Sequence, residues 1–342
     1  MLTLGLTTAL SGCSAGSDGS TRTQGPDSSQ TPEGTSAPTD VPARTAPLMF
    51  GAYLGSYSWE TYKATFGSYP DVETTYLNAD QVLTPDIEKH KQQIDRGISP
   101  VITLGYRFGP FTRSQIAQWG PYVQSYYRDF VQGLVMLSTY AADRNNGTKV
   151  YFADEHEAVV KIKQRKYSFP GYGSAGVPSV TDSAAAWNAV MRYVAQHAPK
   201  VVRVYWYGGS SDGEDAFAGA LEPDLIQMAT FDPYRWKYNS ATATAEALWG
   251  DKISHLLSQP WMRNSDGSLK PWGLTEWGTD ASHGDPANAV FVRETIDYLD
   301  ARGAALAVYF SRVDNNDESN NFVFTHGDQP ETLQAYREAM GS

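Results

Sequence analysis

The chain has 342 residues, and 38 acidic residues against 27 basic ones give it a net charge of −11. This balance argues against a nucleic-acid-binding protein, because such proteins need a basic face to neutralise phosphates. The single cysteine excludes an intrachain disulfide and a cysteine-based zinc site, and no apolar run has the ~20 residues of a membrane-spanning helix. The 9 Trp, 21 Tyr and 13 Phe begin only at Phe50, so the rest of the chain has enough aromatic residues for a large core and a ligand surface.

The beginning of the chain differs in composition from the remainder. Residues 1–12 are largely apolar and end in small residues, which is typical of the end of a secretion signal. The four residues Leu-Ser-Gly-Cys that end at Cys13 resemble the lipobox of bacterial lipoproteins, in which this cysteine carries the lipid. No Lys or Arg precedes Cys13, so we expect a signal peptide that lacks its basic first part.

A tether follows the cysteine. Residues 14–46 are rich in Ser, Thr, Gly and Pro and contain no aromatic residue, Leu or Ile. Such a segment cannot bury enough apolar surface to fold, so we expect it to be a flexible linker. The predicted organisation is a signal peptide over 1–12, a lipidated Cys13 with its disordered tether over 13–46, and one folded domain over 47–342. We expect the protein to be anchored by its lipid to the outer face of the bacterial cell membrane, or to be secreted.

In the folded part, short runs with strand character alternate with helical stretches. The predicted strands are 48–55, 72–78, 98–106, 149–154, 201–207, 225–231, 271–275 and 304–310. The predicted helices are 84–96, 114–144, 182–197, 243–257, 286–302 and 331–340.

Most of these strands are apolar on both faces and are joined by helical crossovers, which predicts a parallel sheet. Eight such units in a chain of this length indicate an α/β fold, the (β/α)8 TIM barrel. A doubly wound open sheet is the competing architecture. That architecture usually carries a glycine-rich phosphate-binding turn after an early strand, and this sequence has none.

The active site of such a barrel lies at the C-terminal ends of its strands, and acidic residues stand at two of those ends. Residues 154–157 (Asp-Glu-His-Glu) follow the fourth strand, and Glu276 follows the seventh. Two carboxyl groups on either side of a glycosidic bond are the usual catalytic groups of glycoside hydrolysis. Aromatic rings stack on sugar faces, so the candidate sugar contacts are the polar and aromatic residues at these and other strand ends: Tyr106, Arg107, Trp206, Asp232, Trp236 and Trp277.

Three segments of the sequence resemble glycoside hydrolase family 26, the β-mannanase and related endo-glycanase group. They are 149–157 (KVYFADEHE), 229–234 (ATFDPY) and 270–278 (KPWGLTEWG), and they occur in the order of the family's fourth, sixth and seventh strands. The resemblance extends over about residues 48–340. It implies a retaining TIM-barrel glycosidase that acts on a polysaccharide or oligosaccharide with two glutamates and needs no metal or cofactor. A monomer without nucleic-acid partners is expected.

Residue by residue, the resemblance implies that Glu276 is the nucleophile and Glu157 the general acid/base. His156 then matches the histidine beside the acid, and Tyr234 matches the tyrosine that hydrogen-bonds to the nucleophile. The family usually continues after the His-Glu pair with a Met-Asn-Gly-like stretch, whereas this chain continues with 158–161 (AVVK). This departure leaves two alternatives open. Glu155 is a rival acid/base, and the protein could instead be a surface lipoprotein that binds polysaccharide without cleaving it.

Overall fold

A computed structural model describes residues 47–53, 58–78, 85–105, 127–163, 179–208, 211–312, 321–323 and 328–341. The long strands within this part are β1 (Met49–Tyr53), β2 (Val72–Asn78), β3 (Ser99–Gly105), β4 (Tyr151–Asp154), β5 (Val202–Tyr207), β6 (Met228–Phe231), β7 (Trp272–Thr279) and β8 (Leu306–Phe310). All are parallel and lie in the order β1-β8-β7-β6-β5-β4-β3-β2. The predicted (β/α)8 barrel is therefore confirmed.

The two ends of this strand order, β1 and β2, approach each other and nearly close the barrel. The Asp71 backbone N–H donates to the Phe50 carbonyl at 2.8 Å, and the Phe50 N–H donates to Asp71 Oδ2 at 3.0 Å. A Cβ at Gly51 would lie 1.9 Å from the carbonyl oxygen of Val72. Because glycine alone has no Cβ, it permits the close approach of the two backbones at this point.

Helices separate the strands and cover the outside of the barrel. They are α1 (Trp59–Phe66), α2 (Ile87–Asp95), α3 (Arg128–Arg144), α4 (Ala158–Lys163), α5 (Val180–His197), α6 (Ser211–Gly219), α7 (Ala245–Ser258), α8 (Asp285–Ala301) and α9 (Pro330–Ala339). Short 3₁₀ turns occur at Pro223–Leu225, Pro260–Met262 and Ala281–His283.

The sequence did not predict three of these helices, which are short. The first of them, α1, has 8 residues and begins after Ser58, whose hydroxyl accepts a hydrogen bond from the Thr61 backbone N–H at 3.1 Å. This N-cap was a usable signal. The predicted helix 114–144 is confirmed from Arg128 to Arg144, and its earlier residues up to 126 lie outside the described part.

Successive side chains of a strand point to opposite faces, and the barrel has two apolar cores for this reason. The smaller core fills the lumen with residues of six strands: Val72, Val101, Tyr151, Ala153, Val204, Trp206, Met228, Leu306 and Val308. The larger core lies between the barrel and the helices. The side chains that fill the lumen form the base of any site at the C-terminal ends of the strands.

A β-bulge in β7 decides which way Glu276 points. Trp272 and Leu274 belong to the outer core, and strict alternation would direct Glu276 to the same face. However, Leu274 pairs with Ala307 while Trp277 pairs with Tyr309, so β7 carries one extra residue between these pairs. The bulge reverses the alternation. It directs the carboxylate of Glu276 to the mouth of the barrel.

At the end of β4, Asp154 is a buried carboxyl on the helix side of the strand. Its side chain is 0% exposed, and neither oxygen has a hydrogen-bond partner of ordinary geometry among the described residues. Burial raises the pKa of Asp154 well above its usual value, and the charge of Glu155 raises this pKa further, while the neighbouring Tyr127 hydroxyl offsets part of the effect. Asp154 therefore binds its proton more tightly in the folded protein than in the unfolded chain.

We expect Asp154→Asn to stabilise the protein at neutral pH. Between the unfolded pKa of about 3.9 and the raised folded pKa, the folded state holds a proton that the unfolded chain has released, so stability falls as pH rises. The amide removes this dependence and keeps the shape of the side chain. Thermal unfolding measured from pH 4 to pH 8 should show a gain in Tm that grows with pH and is smallest near pH 4. A constant difference across this range would contradict the assignment.

Candidate active site

Two tyrosines hold the carboxylate of Glu276 in the mouth of the barrel. The Tyr76 hydroxyl, from β2, donates to Oε1, and the Tyr234 hydroxyl donates to Oε2. Burial raises the pKa of both phenols well above the usual value, and the charge of Glu276 raises both pKa values further. The phenols therefore remain protonated and act as donors. Both carboxylate oxygens are fixed in orientation, as a nucleophile requires.

A short strand after β6 carries Tyr234 to this position. Residues Tyr234–Arg235 pair with Gly278 and Thr279 at the end of β7. The buried Arg235 side chain anchors the pairing, because its Nε donates to Thr279 Oγ1 at 2.7 Å and its guanidinium lies 4.2 Å from the Phe291 ring centroid. Burial lowers the pKa of Arg235 to about 10, so this side chain is still charged at neutral pH. Its contacts tie the strand of Tyr234 to the strand of Glu276.

A pair of acids, Asp232 and Glu157, lies beside Glu276. Asp232 follows β6, and its carboxyl group is hydrogen-bonded to that of Glu157. Burial raises the pKa of Asp232 well above its usual value, and the charges of Glu157 and Glu276 raise this pKa further. Both effects favour the protonated form of Asp232. Three predicted site residues, Glu157, Asp232 and Glu276, are close enough to interact.

The turn after β4 places Glu157 in this cluster. Glu155 and Glu157 have φ values of 58° and 55°, which are in the left-handed region that non-glycine residues rarely adopt. A Cβ at Gly208, after β5, would lie 2.9 Å from Glu214 Oε1 and 3.5 Å from the Glu157 Cα. Glu214 Oε1 also accepts from the Gly208 N–H at 3.1 Å. The turn therefore packs tightly against the end of β5, in a conformation of the strained kind found at functional sites.

The rival Glu155 occupies a different environment. Its side chain is 3% exposed, and its charge acts on the buried Asp154. Glu157 is partly exposed and contacts Asp232 in the mouth. These surroundings favour Glu157 over Glu155 as the acid/base.

His156 lies on the lumen side of the same turn. Its ring centroid is 5.3 Å from that of Tyr76 and 5.5 Å from that of Trp206, and its Nδ1 is 3.3 Å from Thr103 Oγ1. Trp206 is only 1% exposed. It packs beneath the site, where it supports His156 and Tyr76, so the prediction of Trp206 as a sugar contact is wrong.

The remaining predicted sugar contacts have different outcomes. Trp236 is partly exposed, and its ring centroid is 5.0 Å from that of Tyr234. The prediction for Trp277 is wrong, because its side chain is 0% exposed and packs edge-to-face on Tyr309 in the outer core. The bulge that turns Glu276 inward turns Trp277 outward. The other predicted positions, Cys13, Tyr106 and Arg107, lie outside the described residues.

Tyr76 was not predicted from the sequence as a site residue. It is the inward-facing residue near the end of the predicted strand 72–78, two positions after Thr74 and four after Val72. Counting the alternation along this strand was the signal that could have found it, because Val72 belongs to the lumen core.

Two further features are absent from the described part of the chain. No group of three or more His, Cys, Asp or Glu side chains there is arranged to hold a metal ion. None of the described helices combines the length and the apolar character that a membrane crossing requires.

For the glycoside hydrolysis that the sequence predicts, we expect Tyr76→Phe and Tyr234→Phe each to lower kcat by about ten- to a hundredfold, with KM little changed. A hydrogen bond to a charged group contributes about 1.5–3 kcal/mol, and each change removes one donor from Glu276. The acid limb of the pH–rate profile should also move to higher pH, because hydrogen bonds to a carboxylate favour its charged form. A loss of activity without any change in the pH profile would contradict this role.

Comparison with known proteins identifies the fold. The sequence matches no protein-family model, and no curated protein matches it. The structure is similar to the catalytic domain of a GH26 endo-β-1,4-mannanase from Bacillus sp. JAMB-750, with a TM-score of 0.54 and 14% identity over 86% of each chain. At this identity, the likeness shows the shared barrel fold.

Two other solved structures share the barrel. An exo-β-1,4-mannosidase from Opitutaceae bacterium strain TAV5 is similar over 85% of this chain and 59% of its own, with a TM-score of 0.53 and 12% identity. A β-glucuronidase from Bacteroides uniformis is similar over 82% of this chain and 31% of its own, with a TM-score of 0.52 and 11% identity. All three proteins are named as enzymes that act on glycosides.

Proposed function

We propose that this protein is a retaining glycoside hydrolase. It cleaves internal bonds of a β-linked polysaccharide, in the manner of the β-1,4-mannanases. The observation that carries the proposal is the pair of tyrosines on Glu276, in the same mouth as Glu157 and Asp232. The structural similarity to proteins named as a mannanase, a mannosidase and a glucuronidase supports a glycoside as the substrate.

The proposed reaction uses the two glutamates as its reacting groups. Glu157 donates its proton to the glycosidic oxygen as the C–O bond breaks, and Glu276 attacks the anomeric carbon to form a glycosyl-enzyme. Glu157 then takes a proton from water, whose oxygen attacks the same carbon and releases Glu276. Two inversions return the sugar to its original configuration. Asp232, which hydrogen-bonds to Glu157, orients this group for both proton transfers.

The stereochemistry of the product tests this proposal. The purified protein is incubated with β-1,4-mannan, β-1,4-glucan and β-1,4-xylan, new reducing ends are measured, and the first anomer is identified by proton NMR. We expect the β anomer to form first on at least one of these polymers. An α anomer as the first product would contradict the two-step mechanism, and no new reducing ends on any of them would argue against the enzyme.

The second candidate is a protein that binds polysaccharide without cleaving it. The observation in its favour is the sequence 158–161 (AVVK) after Glu157, which forms the start of α4 instead of the family's usual continuation. Such a protein would retain polymer on an affinity gel and release no reducing ends.

We also propose that the protein is anchored at Cys13 on the outer face of the cell membrane. The proposal is based on the lipobox-like residues before Cys13 and on the tether after it. Mass spectrometry of the N-terminal peptide from membranes should show a lipid on this cysteine; an unmodified thiol would contradict it.

A further inference from the structure

A row of aromatic rings leads from Glu276 to the protein surface. The ring of Tyr234, which hydrogen-bonds to Glu276, lies 5.0 Å from that of Trp236 between centroids. The Trp236 ring lies 6.4 Å from that of Tyr238, and the planes of these two rings are only 12° apart. Tyr238 is 68% exposed, and no other large aromatic side chain in the described part of the chain is so open to solvent. Trp236 and Tyr238, here called the aromatic platform, thus present nearly parallel rings at the edge of the site.

The loop of the platform is held in place by several contacts. The Trp236 backbone N–H donates to Asn239 Oδ1 at 2.7 Å, and its carbonyl oxygen is 3.0 Å from His283 Nε2. The ring of Phe322 packs edge-on against Trp236, with centroids 5.4 Å apart, and lies 4.8 Å from that of Tyr234. A surface that is already ordered loses little entropy when a ligand binds, so these contacts suit a binding role.

The surroundings of the platform give its place relative to the cleaved bond. His283 follows β7 and Phe322 follows β8, so the platform lies on that side of the mouth. Glu157, which protonates the leaving oxygen in the proposed mechanism, comes from the turn after β4. The leaving part of the substrate therefore extends toward β4, and the glycone part extends toward β7 and β8.

We propose that the aromatic platform binds sugar units on the glycone side, beyond the unit that Glu276 attacks, and that the substrate is a chain of several β-1,4-linked pyranoses. This inference rests on the proposed function. Pyranose rings with equatorial hydroxyls expose flat C–H faces, which stack on Trp and Tyr rings while the tyrosine hydroxyl stays hydrated. A β-1,4-linked chain is extended and ribbon-like, and it presents such faces in succession to rings with parallel planes.

The direct test measures binding separately from cleavage. The full-length Glu276→Ala protein is titrated with β-1,4-linked manno- and gluco-oligosaccharides of increasing length, with and without Tyr238→Ala, by calorimetry. Affinity should increase with length, and Tyr238→Ala should reduce it about five- to tenfold for the longer chains, in line with the contribution of one aromatic contact. The control is Met136→Ala, which removes an exposed apolar side chain from α3 on the outside of the barrel. It should leave every affinity unchanged.

A second arm uses hydrolysis. In nitrophenyl β-glycosides the cleaved bond is fixed, so added units extend only the glycone side. The gain in kcat/KM from a longer glycone should fall about five- to tenfold in Tyr238→Ala relative to Met136→Ala.

The outcomes separate the two proposals. If Tyr238→Ala keeps the full dependence on chain length in both arms, or if no oligosaccharide binds, the platform is overturned. If long chains bind through Tyr238 and no nitrophenol is released, the platform stands and the proposed enzyme function fails. If the wild type releases nitrophenol with a length dependence that does not involve Tyr238, the function stands and the platform fails.

Discussion

Replacing Glu276 by Ala should lower the rate of hydrolysis by about 10⁴-fold or more, the scale of loss seen when a covalent nucleophile is removed. The fold should persist, because the Glu276 side chain is partly exposed in the mouth and its neighbours there are two tyrosine hydroxyls that water can reach once the carboxylate is gone. The initial rate on a nitrophenyl β-glycoside and the thermal unfolding curve together measure this prediction.

A chemical rescue experiment provides the control for Glu276→Ala. Azide can enter the space left by the carboxylate and attack the anomeric carbon directly, with nitrophenolate as the leaving group. A single displacement inverts the configuration, so the expected product is an α-glycosyl azide. If the variant keeps its rate within about tenfold of the wild type, Glu276 lowers the activation free energy by less than about 1.4 kcal/mol. That result would rule out Glu276 as the nucleophile.

The second large effect distinguishes the two glutamates after β4. Glu157→Gln should lower kcat by about 10²–10⁴-fold on a polysaccharide, which is the usual contribution of a general acid. The loss should be smaller on a nitrophenyl glycoside, because nitrophenolate departs without protonation. Glu155→Gln should keep kcat near that of the wild type, since Glu155 is buried and its charge acts on Asp154.

Glu155→Gln is also the matched control for Glu157→Gln, since it makes the same chemical change two residues away. Both variants are compared on the same polysaccharide and on the same nitrophenyl glycoside. If Glu155→Gln loses activity and Glu157→Gln keeps it, the assignment of the acid/base is wrong by two residues.

The sequence allowed the architecture of the barrel to be predicted, because buried parallel strands and amphipathic helices have different periods. The strand 72–78 and the end of the strand at Asp154 agree with the structure. The helices α1, α4 and α6 were missed, since elements of 6–9 residues carry too little periodicity to stand out.

The site was predicted less completely, for reasons that lie in the geometry of single strands. A bulge depends on the pairing of β7 with β8, which one sequence does not show, and it decides that Glu276 points inward and Trp277 outward. For the same reason, the predicted strand 271–275 was too short, since β7 continues to Thr279. Tyr76 was hidden because its role depends on the approach of β2 to Glu276 across the lumen.

The most direct test of the central claim is to trap the glycosyl-enzyme. A 2-deoxy-2-fluoro β-glycosyl fluoride of the sugar that the protein hydrolyses slows both steps, and its good leaving group lets the covalent intermediate accumulate. Peptide mass spectrometry should locate the sugar on Glu276, and the labelled protein should lose activity in proportion to its labelling. A sugar attached to another carboxylate, or steady hydrolysis with no labelled protein, would contradict the account.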